Sequence, residues 1–139
     1  MKFHTLRLSL LIPFLALIAV LAARAEPVLA GNASTAGQSL DADGIKAVLL
    51  GKKTTLGDNR VIIVISKISD AQEQFLKQTV GMTTSQFQTH WRRLYMTGGG
   101  SAPKIAETDA DAVKLAAETV GAIVISDRAA IGGLTVLSK

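Results

Sequence analysis

The chain has 139 residues, 15 Lys and Arg against 11 Asp and Glu, 48% hydrophobic residues and no cysteine. That length suits one domain, and the missing thiols exclude disulfides, zinc–thiolate or iron–sulfur centres and a thiol nucleophile. With only two histidines, His4 and His90, metal and acid–base chemistry is short of residues, and neither an enzyme activity nor a cofactor is expected.

Residues 1–25 read as an export signal. Lys2 and Arg7 precede an apolar run from Leu8 to Ala23, and Ala23-Arg24-Ala25 offers the small residues signal peptidase accepts, with cleavage after Ala25. The run is short of the ~20 residues a membrane span needs, so the expected membrane contact is through the signal alone. Cleavage removes Lys2, Arg7 and Arg24 and leaves 12 basic against 11 acidic residues, with no basic stripe for nucleic acid. A periplasmic or secreted location follows.

Residues 26–40, rich in Ala, Gly, Ser and Pro, are expected as a flexible leader in which Pro27 to Ala30 can add a short strand. A single domain then covers 41–139. Its first helix is predicted from Asp41, a capping residue, to Leu50, with Gly51 ending it. After a turn at Gly57-Asp58-Asn59, Arg60 to Ser66 (RVIIVIS) is apolar without alternation, as in a strand covered on both faces. Ser69 and Gln72 have capping-box spacing and open a helix with Phe75, Leu76 and Val80 on its apolar side. Thr83 and Gln86 repeat the spacing before a helix to Met96, with Phe87, Trp91, Leu94 and Tyr95 on its predicted buried side. Thr97 to Pro103 is a loose connection. Thr108 starts a further helix with Asp109 and Asp111 in its first turn, Gly121 ends it, and strands follow at Ala122–Ser126 and Leu134–Leu137. Helices alternating with unpatterned apolar strands predict a small three-layer α/β unit with three or four short, mostly parallel strands and about four helices.

Few residues offer chemistry. Gly98-Gly99-Gly100-Ser101 lacks the Gly-Lys-Ser/Thr of a phosphate loop, so a flexible connection is the better reading. The doublets Lys52-Lys53 and Arg92-Arg93 can draw an anion or simply be solvated. His90, beside Trp91 and without a second ligand, reads as packing or surface. Ser69 stands where a buried strand becomes a helix amino terminus, a place that presents free amides and a hydroxyl to an anion or lets the serine merely cap its helix.

Several segments together resemble the second lobe of phosphate-binding proteins of the PstS type, in the periplasmic binding protein superfamily. They are Val48–Lys52, the strand leading to Ser69 with Phe75, Trp91 and Tyr95, Thr97–Gly100 with Pro103, and Gly121-Ala122-Ile123, spread over about residues 41–137. Asp70 and Ala71 stand where the family has Gly and Thr, and Ile65 where it has Arg. The resemblance implies a lobe that binds phosphate or a related oxyanion weakly through Ser69 and Lys67, in connection with ABC-type transport. The alternative is a ligand-free module that docks to another envelope protein or pairs with itself.

Overall fold

A computed structural model describes residues 25–138; the predicted signal segment, Ala25 apart, lies outside them. The described residues form seven strands: β1 (Pro27–Gly31), β2 (Thr55–Leu56), β3 (Asn59–Arg60), β4 (Ile62–Ser66), β5 (Lys104–Ala106), β6 (Ala122–Asp127) and β7 (Thr135–Val136). Four α-helices alternate with them: α1 (Ala42–Leu49), α2 (Asp70–Thr79), α3 (Thr84–Met96) and α4 (Asp109–Glu118). β2 and β3 form a hairpin, and the rest form one sheet of order β5-β4-β6-β1-β7. β4 runs parallel to β5 and β6, whereas β1 is antiparallel to both β6 and β7, so β1 alone is reversed.

Side chains leave a strand on alternating faces, and both faces here are apolar. Leu29, Ile63, Ile65, Ile123 and Ile125 meet the larger residues of α1, α2 and α3, among them Phe75, Leu76 and the fully buried Phe87. On the other face, Val28, Ala30, Val64 and Val124 pack against Ala112 and Ala116, whose small side chains let α4 lie close to the sheet. This is the predicted three-layer arrangement, and it accounts for strands that show no alternation in sequence.

Each helix starts as expected. Asp41, Ser69, Thr83 and Thr108 have extended or near-extended backbone and accept an amide from the first turn. The Thr83–Gln86 capping box is complete. The Ser69–Gln72 one is not: Ser69 Oγ accepts from the Gln72 amide at 3.1 Å, but the Gln72 side chain turns to β4 instead.

Three further expectations need correction. Residues 26–40 are not a flexible leader, since Pro27–Gly31 is an inner strand and Asn32 is 7% exposed. Asn32 fixes this segment by donating Nδ2 to the Ala116 and Ala117 carbonyls, both at 2.9 Å. The main sheet has five strands rather than three or four, because β1 joins it and Lys104–Ala106 forms an edge strand. Tyr95, placed on the buried side of its helix, is 58% exposed, in the last turn of α3. No helix among the described residues is long and apolar enough to cross a membrane.

The α2–α3 junction carries a pH-dependent contact. The Thr84 hydroxyl and amide hold the Glu73 carboxyl below its usual pKa, the amide donating at 2.8 Å. A lowered folded-state pKa adds stability above the unfolded value, about 4.3, and loses it as pH falls through the folded value. Glu73→Gln is therefore expected to flatten the acid limb of stability. Urea midpoints at pH 7 and pH 3 should differ less in the variant than in the parent; equal differences would count against this contact.

Candidate functional site

Parallel strands end together, and here the carboxyl ends of β5, β4 and β6 meet the amino ends of α2 and α4 on one rim. Such rims hold the ligands of open α/β sheets. β4 ends at Ser66, and Lys67, Ile68 and Ser69 lead into α2. Ser69 is 7% exposed and its Oγ accepts from the Gln72 amide, so the donors left at the start of α2 are the Ser69 O–H and the Asp70 and Ala71 amides. Lys67 lies on the same rim, but its Nζ is 2.6 Å from Glu107 Oε1. The two residues singled out in the sequence are therefore brought to one rim, and each is already engaged there.

Gln72, fully buried, holds this corner together. Its Oε1 accepts from the Ser66 amide at 2.9 Å, and its Nε2 donates to the Ser66 carbonyl at 3.0 Å and to Thr84 Oγ1 at 3.2 Å. It joins the end of β4 to the starts of α2 and α3. The Ser-x-x-Gln spacing marked Gln72 as a capping partner and gave no sign of this role.

The rim is acidic. Glu26, Asp70, Glu107, Asp109 and Asp127 lie along it, while Lys67 and Arg128 are each paired, to Glu107 and Glu26 respectively. The Ser66 hydroxyl donates to Asp109 Oδ1 at 3.0 Å. Beside it on the same sheet face, at the end of β6, Ser126 Oγ is buried without a hydrogen-bond partner among the described residues. Among the described residues no cluster of His, Asp and Glu is arranged to hold a metal ion. His90 is away from the rim, its Nε2 3.1 Å from the Leu50 carbonyl, while Trp91 Nε1 donates to the Leu49 carbonyl at 2.9 Å. Both rings thus close the carboxyl end of α1, in keeping with the packing role expected of His90.

No protein-family model and no curated protein matches the chain. Solved structures do. A proposed phosphate ABC transporter substrate-binding protein from Clostridium perfringens, with phosphate bound, superposes with a TM-score of 0.62 at 14% identity, over 81% of this chain and 44% of the other. An ABC-type phosphate transport receptor from Vibrio cholerae gives 0.59 at 9% identity, over 81% and 45%. The chain has the fold of a binding-protein lobe. It spans less than half the length of either structure. The resemblance read from Val48–Lys52, Ser69, Trp91 and Gly121-Ala122-Ile123 therefore extends to the architecture of the lobe.

Proposed function

We propose that the chain is an exported, non-catalytic, single-lobe binding protein of the phosphate-transport type, which takes phosphate or a related oxyanion weakly at the amino end of α2. The observation that carries this is the junction of β4 with α2, where the Asp70 and Ala71 amides and the Ser69 hydroxyl sit at a strand's carboxyl end, in a fold shared with a phosphate-bound structure. A helix amino terminus favours an anion through its unpaired amides and its dipole. Binding is weak because Lys67 is neutralised by Glu107 and Asp70 adds a negative charge. Export by the signal ending at Ala25 to the periplasm, beside an ABC transporter, completes the proposal.

The test is a thermal melt in phosphate, sulfate and chloride at fixed ionic strength. Ligand at 100 times its dissociation constant adds about 2.7 kcal/mol, several degrees for a domain of this size. A phosphate-selective rise that Ser69→Ala and Lys67→Ala both abolish is the expected result. Because Ser69→Ala also removes a cap, each variant's melt is compared with its own phosphate-free control. No selective rise in the parent protein would sink the proposal.

The acidic rim and Ile68, 83% exposed beside it, favour a second reading, in which this face docks to an envelope protein or a second copy. Sedimentation at micromolar concentration tests the self-pairing form: a monomer throughout leaves only the heterologous partner.

A further inference from the structure

The opposite end of the sheet carries the reverse electrostatic pattern. An open cleft of about 390 Å³ lies between the β2–β3 hairpin, which contributes Thr54, Thr55 and Arg60, and the Gly98–Gly100 loop. It adjoins a narrow recess where Lys53, Arg60 and Ser101 meet over Trp91. No Asp or Glu lines either one. Among the described residues neither Lys53 nor Arg60 has an ion-pair partner, whereas Lys67 and Arg128 on the carboxyl rim both do. The Gly100 and Ser101 amides make no backbone hydrogen bond there either.

The glycine run is shaped by its setting. Gly98 has φ of +79°, and a Cβ on Gly99 or Gly100 would lie 2.8 Å from Leu94 or 3.2 Å from Trp91. The loop therefore lies flat on the end of α3 and gives the cleft a wall of bare backbone. The carboxyl ends of α1 and α3 also reach this region, and their negative ends would oppose an anion. Their carbonyls are already taken: Leu49 by Trp91 Nε1, Leu50 by His90, and Leu94 by the Gly99 amide at 2.8 Å.

Two uncompensated cations, hydroxyls and free amides around one cleft are the donor set of a tetrahedral oxyanion. We propose that this cleft, distinct from the α2 rim, binds a phosphate group, supplied either as free phosphate or by an anionic lipid headgroup. Thr54, Thr55 and Ser101 are the neutral donors, and Lys53 and Arg60 supply the charge.

Amide chemical shifts followed during titration with inorganic phosphate, against chloride at constant ionic strength, locate the site. Saturable shifts are expected at Thr54, Arg60 and Gly98–Ser101. The Lys53→Gln/Arg60→Gln double variant should weaken them about tenfold, and Ser69→Ala should leave them intact. Both substituted side chains are exposed, so an unchanged melting temperature in the double variant excludes misfolding as the cause. Co-sedimentation with phosphatidylglycerol vesicles, against phosphatidylcholine, separates the two sources. Binding to phosphatidylglycerol that the double variant loses, without shifts in free phosphate, assigns the cleft to a headgroup. Shifts confined to Ser69–Gln72 with no charge-selective vesicle binding, or no saturable response in either arm, would overturn the proposal.

Discussion

Gly121→Ala is expected to cost about 3 kcal/mol and to lower the melting temperature by about ten degrees or more. Gly121 links α4 to β6 with φ of +78°, which alone costs an L-residue about 1–2 kcal/mol. A Cβ there would also fall 2.1 Å from the Arg60 carbonyl oxygen, so the backbone of the β2–β3 hairpin would have to move. That movement would disturb two hydrogen bonds through Gly121, from its amide to Ser34 Oγ at 2.8 Å and from the Ile62 amide to its carbonyl at 3.0 Å. Gly81, with φ of +69° and open space where a methyl group would stand, isolates the conformational part. Gly81→Ala should cost only about 1–2 kcal/mol. Equal melting temperatures for the two variants would refute the steric account.

Gln72→Ala should cost nearly as much, about 3 kcal/mol, for a different reason. It removes the partner of both the amide and the carbonyl of Ser66, which are buried and cannot turn to water. The same truncation at Gln86, which closes the exposed Thr83 capping box, should cost about 1 kcal/mol or less. Urea unfolding measures the difference, and amide exchange at Ser66 gives an independent readout, slow in the parent and fast in the variant. If the two glutamine variants lose the same stability, Gln72 is a cap and not a tie between elements. Because Ser66 lies three residues before Ser69, Gln72→Ala should also loosen the proposed α2 site.

The helices were legible because two independent signals coincide in each: a capping residue at the start and apolar residues recurring on one side. β4 and β6 were legible from unbroken β-branched runs. β1 was legible only as a short strand that Pro27 to Ala30 can add, and its inner place in the sheet was not, because Pro-Val-Leu-Ala-Gly is short, starts with proline and contains two small residues, the composition of a connection. Its partners lie about a hundred residues away, so no local pattern reports them. Lys104-Ile105-Ala106 is too short to show a period and becomes a strand only because β4 offers its edge. At the candidate site the position of Ser69 followed from sequence, whereas the pairing of Lys67 with Glu107, forty residues on, depends on β5 lying beside β4. The cleft at the other end was hidden for the same reason, since Lys53, Arg60 and Ser101 converge only through the hairpin and the loop.

The reversed strand β1 also constrains when the molecule can form. It is made before every other element described, yet it pairs only with β6 and β7, the last strands to be made. Loop closure across such a separation is slow compared with helix formation. During synthesis β1 therefore stays unpaired until β6, ending at Asp127, has emerged, and it gains its second neighbour only when β7 follows. A polypeptide whose central ladder joins its earliest described strand to its latest ones stays open until those last strands are made.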